Sequence, residues 1–380
     1  MKIPWRVTAC AFALLLCLSV PPIPRVIQHG DSTAPAIVLS KYTYAHSTIN
    51  QMTLEQKIGQ LLFIPVSGPD LSDNAQSFIF DLAPGGIVLF APNIKSETQT
   101  ARLTTDIQEY AHANGMPDLF IAVDEEGGIV ERISFSPAEY SQAQLGHIND
   151  TETTRQTTNS TATVLTELGI NVNFAPVADV AYSPDSIMTD RSFGPDPDTV
   201  ALHVGIETET YVSEMIMPTA KHFPGHGRTA ADSHDELPTL QIAKEIWYES
   251  DAKPFVSAIE KNTPLIMSGH LLYPHVDSNP ASTSSVWLKD ILREEMGYSG
   301  IIVADDIKME ALGGPIPQTA IKALTAGNDM IIVITDSQTL YAVRDTLVEF
   351  FGDENTQPAL DASLARILTT KYQFLLDHRD

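Results

Sequence analysis

The chain has 380 residues, 43% of them hydrophobic and 19% charged, which provides a large apolar core and excludes a disordered chain. Its 48 acidic and 23 basic residues give a formal charge of −25, which argues against nucleic acid as a partner, because phosphate neutralisation needs clustered Lys and Arg. Both cysteines, Cys10 and Cys17, lie in the leader, so the rest of the chain excludes disulfides, thiol catalysis and cysteine-held metals.

In chain order, Lys2 and Arg6 precede an apolar run from Val7 to Val20 and then prolines. That run is short for a bilayer span and suits the core of a signal peptide, or of an N-terminal membrane anchor, over residues 1–25. Export to the periplasm or cell surface is the expectation, with the N-terminus a membrane tether if the leader is retained. Lipidation would need Cys10, which sits early, or Cys17, which follows three leucines where a small residue is wanted. Residues 26–48 read as a linker. A single domain over 49–380 then opens near "MTLEQKIGQLLF".

Eight short apolar runs follow: "LLFIPV", "GGIVLF", "LFIAVD", "VNFAPVADV", "MIMPTAKH", "PLIMSGH", "GIIVADD" and "MIIVIT". Most are continuous rather than alternating, as in strands buried on both faces of a parallel sheet. Between them lie helical stretches such as "SETQTARLTTDIQEYAHANG", "TTRQTTNSTATVLTELG" and "IKALTAGND", often closed by Gly. Eight β/α alternations predict an α/β fold of the (β/α)8 TIM-type barrel class, with a doubly wound open sheet as the alternative. In such a barrel the chemistry sits at the C-terminal strand ends. Asp124, Asp179, His222, His270 and Asp305 all stand at or near the end of an apolar run. Any one of them could instead cap a following helix.

The stretch "AKHFPGHGRTAADSHDELP", residues 220–238, is the densest in chemistry. His222, His226, Asp232, His234 and Asp235 have metal-like spacing, but the H-x3-H zinc signature needs one helical face. Pro224, Gly225 and Gly227 break any helix here, so a loop is expected and no metal. In "DSH" a carboxylate two residues from an imidazole can fix its tautomer and leave the other nitrogen free to exchange a proton. A surface loop capped by Asp232 or Ser233 is the plainer reading of the same spacing. In "GIIVADDIKM", adjacent Asp305 and Asp306 should point to different sides, one into the pocket and the other bracing. A carboxylate nucleophile paired with a separate proton donor is the logic of retaining glycoside hydrolysis.

"AKHFPGHGRTAADSH" resembles the K-H-F-P-G-H-G-x4-D-S-H signature of glycoside hydrolase family 3 β-N-acetylglucosaminidases. "MTLEQKIGQLL", "IAVDEEGGIVERI", "DRSFGPDP", "MSGHLLYPHVD" and "ALTAGNDMIIV" resemble other family segments in the expected order, over roughly residues 50–350. The resemblance implies a barrel with Asp305 as nucleophile, His234 as general acid/base and Asp232 orienting it. It also implies sugar-binding roles for Asp124, Arg132, Arg191, Lys221 and His222. The implied enzyme is a retaining exo-β-N-acetylglucosaminidase that takes GlcNAc from peptidoglycan fragments (muropeptides) or other β-linked oligosaccharides. It would need no cofactor and act as a monomer, and phosphate as an alternative acceptor stays open.

This chain departs from the family at Ile129, where Arg usually follows "EGG", at Ala304 before the nucleophile, and at Lys308. The missing guanidinium could alter the support of Asp124. A β-glucosidase of the same superfamily and a catalytically silent wall-sugar-binding protein are the rival readings. The first commonly uses a Glu acid from a second domain, for which this chain has no counterpart.

Overall fold

The computed structural model describes residues 34–376. The leader, with Cys10 and Cys17, lies outside them, and no helix among the described residues is long and apolar enough to cross a membrane. The eight runs form strands β1 (Leu62–Pro65), β2 (Gly86–Leu89), β3 (Phe120–Val123), β4 (Val172–Asn173), β5 (Met217–Phe223), β6 (Leu265–Ser268), β7 (Ile301–Ala304) and β8 (Met330–Ile332). They pair in sequence order and β8 pairs with β1, so the sheet is a closed parallel barrel and not an open sheet.

Continuous apolar sequence is what this ring requires, since each strand has side chains in the barrel interior and others under the helices. Phe63 of β1 packs on Phe120 of β3 at 5.9 Å and on Phe174 after β4 at 5.6 Å. Strand β2 runs between β1 and β3, and its Gly86 leaves the room: a Cβ there would stand 2.3 Å from the Phe63 ring. The crossover helices begin where their caps lie. Ser96, Asp150, Asp196 and Asp336 each accept a hydrogen bond from a first-turn backbone N–H, satisfying donors that have no partner inside the helix.

Two expectations need correction. Residues 34–48, read as linker, belong to the helix Ala34–Gln51, which packs on the helix Gln357–Lys371. Ala45 and Ile49, spaced i, i+4, are its buried contacts. The Ser/Thr-rich composition masked that short stripe. The fourth run is strand only at its first two residues. Pro176 has no N–H to donate, and beyond Asn173 the chain touches β5 through separate bonds, such as the Thr219 N–H to the Ala175 carbonyl at 2.8 Å.

Candidate active site

The strand ends converge on one cavity of about 280 Å³ at the C-terminal mouth of the barrel. Asp124, Arg132, Arg191, Lys221, His222, Asp232, His234 and Asp305, the eight residues to which the family resemblance gives roles, all line it.

Its polar wall is built on Lys221, near the end of β5. The Lys221 Nζ donates to Asp124 Oδ1 at 2.7 Å and pairs with Glu126 Oε1 at 2.6 Å. Arg191 closes the other side of Glu126 through its Nε at 2.9 Å and Nη2 at 2.6 Å. Burial alone would raise the Glu126 carboxyl, but these two cations outweigh it and hold it at about 2. The Lys221 ammonium is likewise disfavoured by burial and held above its ordinary value by Asp124 and Glu126. Sequence reasoning missed Glu126. The available signal was parity: two residues from Asp124, it returns to the same side of an extended chain. Ile129 is 65% exposed, and Asp124 is held by Lys221.

Next to this wall, Asp179 and His270 lie fully buried behind the cavity rather than on it. Asp179 accepts from His222 Nδ1 at 2.7 Å. His270 has Ser282 Oγ at 2.7 Å and the Asp306 carbonyl at 3.0 Å. His226 lines the cavity, yet neither ring nitrogen has a partner among the described residues. Burial pushes its imidazole down to about 4, so at neutral pH it carries no charge.

Asp305 follows β7 and accepts the Asp306 N–H at 2.8 Å. Burial opposes its ionisation, but the His222 and His270 imidazoles, the Asp306 amide and the Lys221 ammonium outweigh that and hold it below the ordinary carboxylate value. Asp306 is braced, accepting the Ile334 N–H and the Lys308 N–H at 3.1 Å each, and burial pushes it up to about 6. It also borders the cavity, so the two neighbours diverge less than strict alternation requires. One carboxyl is thus held ionised, and burial pushes the other toward its protonated form. Ala304 is fully buried under this turn, and Lys308 is exposed.

The proton-exchange pair stands at the rim. Asp232 Oδ1 lies 2.8 Å from His234 Nδ1 and accepts the His234 N–H at 3.0 Å. Two-thirds of the His234 side chain is exposed. The loop leaves a clamped turn: Trp247 Nε1 donates to the Pro224 carbonyl at 2.7 Å, and the Tyr273 hydroxyl to the Gly225 carbonyl at 2.6 Å. Farther out, buried Ser233 docks on the turn after β7, where its carbonyl accepts the Ala311 N–H at 3.3 Å.

A carboxylate anion at the base, an imidazole–carboxylate pair at the rim and a charged hydrogen-bonding wall between them suit attack on a polyhydroxylated substrate. A family model described as "Glycosyl hydrolase family 3 N terminal domain" matches residues 53–370. A β-hexosaminidase of Bordetella avium is 34% identical over 282 residues, covering 72% of this chain and 79% of the relative. One from Vibrio cholerae is 33% identical over 319 residues, covering 82% and 91%. A solved structure of a family 3 β-N-acetylglucosaminidase from Paenibacillus superposes with TM-score 0.81 and 32% identity over 85% of this chain, which spans 62% of that longer protein. NagZ from Neisseria gonorrhoeae superposes with TM-score 0.68 at 27% identity, over 80% of this chain and 97% of its own. The chain therefore belongs to glycosyl hydrolase family 3.

Proposed function

We propose that this protein is a retaining exo-β-N-acetylglucosaminidase that removes terminal GlcNAc from peptidoglycan fragments and related β-linked oligosaccharides. The observation that carries the reading is the single cavity holding Asp305 together with the Asp232–His234 pair. The β-hexosaminidase relatives support the sugar. An exported enzyme, as the leader suggests, would meet wall material outside the cytoplasm.

In the first step an Asp305 oxygen attacks the anomeric carbon. The bond from that carbon to the leaving oxygen breaks, and that oxygen takes a proton from His234 Nε2. Asp232, ionised and bonded to Nδ1, stabilises the imidazolium that donates. In the second step neutral His234 takes a proton from water, whose oxygen attacks the same carbon and displaces Asp305, so configuration is retained. Lys221, Asp124, Arg132, Arg191 and His222 would hold the sugar hydroxyls.

The test is turnover of 4-nitrophenyl β-N-acetylglucosaminide by wild type and Asp305→Ala, with the β-glucoside as comparator. Asp305→Ala should lower kcat at least a thousand-fold, a typical scale for losing a covalent nucleophile. Surviving turnover would remove Asp305 from the role, and equal rates on both glycosides would remove the sugar specificity. Mass spectrometry of digested muropeptides and chitooligosaccharides, with and without phosphate, identifies the natural class of substrate and the acceptor.

A further inference from the structure

Asp179 is the most heavily used carboxylate near the cavity that the reaction above leaves without a task. It follows β4, has no exposed surface and does not line the cavity. Its Oδ2 lies 2.7 Å from His222 Nδ1, and the His222 backbone N–H reaches both oxygens at 3.2 Å. Its Oδ1 accepts the His226 backbone N–H at 2.6 Å. One carboxylate therefore grips the sugar wall at His222 and also the turn from which the His234 loop departs.

An ionised carboxylate is an acceptor only, so all these partners donate to it. Burial resists ionisation of Asp179, but His222, His226 and the His226 amide outweigh it and hold the group below its ordinary value. The proton between Asp179 and His222 then belongs on His222 Nδ1, and the opposite edge of the ring is left for the cavity. We propose that Asp179 is a positioning residue: by accepting from His222 Nδ1 it fixes the tautomer and orientation of the ring that stands beside Asp305, and through the His226 amide it holds the base of the proton-donor loop. This rests on the glycosidase reading for the roles of Asp305 and His234. The groups facing Asp179 are His222, His226 and Arg191. Those facing Asp305 are His222, His270 and Lys221, with the Asp306 amide.

Asp179→Asn keeps the shape but presents an NH2 where Nδ1–H now donates, so His222 must lose that proton or the bond. Without that anchor the His222 ring is no longer fixed beside Asp305, which loses the imidazole that most helps hold it ionised, and the nucleophile is harder to ionise. The acidic limb of kcat/KM on 4-nitrophenyl β-N-acetylglucosaminide should move up by about one pH unit, the scale of a lost opposite charge. KM should rise roughly ten-fold, about one charge-assisted hydrogen bond. The Asp179→Asn/His222→Gln double variant should be no worse than His222→Gln alone, because both changes cut one chain of contacts. An unmoved acidic limb in a folded Asp179→Asn variant, or additive losses in the double variant, would overturn the assignment. If Asp179→Asn does not fold, the wild type still decides: ¹⁵N NMR of histidine-labelled enzyme should show His222 protonated at Nδ1 from pH 5 to 8, and an unprotonated Nδ1 would sink the proposal. That signal does not depend on turnover, so it stands apart from any failure of the glycosidase reading.

Discussion

Glu126 shows how one side chain can hold a site without facing substrate. Its side chain is 1% exposed and bridges Lys221 and Arg191, each with a mostly buried head. Glu126→Gln removes the negative charge and leaves two cations in low dielectric, a change that costs about 3 kcal/mol when a buried pair is broken. Urea denaturation should show that loss, and KM for the chromogenic substrate should rise as Lys221 and Arg191 reorient. An unchanged midpoint and KM would mean that Asp124 alone suffices to hold the wall. Asp124, Lys221, His222 and Asp305 were readable from the sequence because they stand at or near the ends of apolar runs, and Asp232 and His234 because they sit in a dense polar loop. Arg132 and Arg191 were named only by the family resemblance. The bonds between these residues were not readable. That Asp179 serves His222, and that Lys221 holds Asp124, depends on strands far apart in sequence becoming neighbours in the ring.

At the scale of elements, the segment from β5 to the rim divides into a fixed turn and an outer loop. Gly227 sits at the division: a Cβ there would lie 2.0 Å from the Val180 carbonyl oxygen and 2.4 Å from its carbon. Backbone cannot yield as a side chain can, so Gly227→Ala should shift the turn and cost about 1–3 kcal/mol, as overpacking does. It should also lower kcat more than it raises KM, because the shift carries His234 while Lys221 stays on its strand. Thermal denaturation with steady-state kinetics tests both, and a kcat equal to wild type would show that the outer loop is positioned by its Ser233 contact instead. Strand positions were legible because continuous burial leaves a continuous apolar record. The helix Ala34–Gln51 was not, since among its described side chains only Ala45 and Ile49 are fully buried in the core, with Ser, Thr and His interleaved between them.

For the whole molecule, alternation of eight apolar runs with helical stretches was sufficient to indicate a barrel, while its response to pH is set by buried acids that no pattern marks. Glu207, fully buried in its side chain's environment and hydrogen-bonded by Gln142 at 3.1 Å, is raised by burial from 4.5 to about 8. Between those values the folded state keeps a proton that the unfolded state releases, so this group's contribution is present below pH 4.5 and is lost as pH climbs toward 8. Glu207→Gln cannot titrate. Its stability relative to wild type should therefore increase with pH across that window, measured by urea denaturation at pH 5, 6.5 and 8, and a flat difference would mean that Glu207 is ionised in the fold. The ring closes through only two residue pairs between β8 and β1, Leu62 with Ile331 and Phe63 with Ile332. The Lys57–Asp361 pair and the Lys371–Gln60 hydrogen bond tie the helix Gln357–Lys371 to the residues that lead into β1. Ile332 and Ile334 are part of the cavity wall, so the cavity is incomplete until β8 is in place. During synthesis, then, a ribosome-bound chain lacking its last strand has no closed site to offer, and enzymatic competence arrives late, with the slow joining of distant contacts.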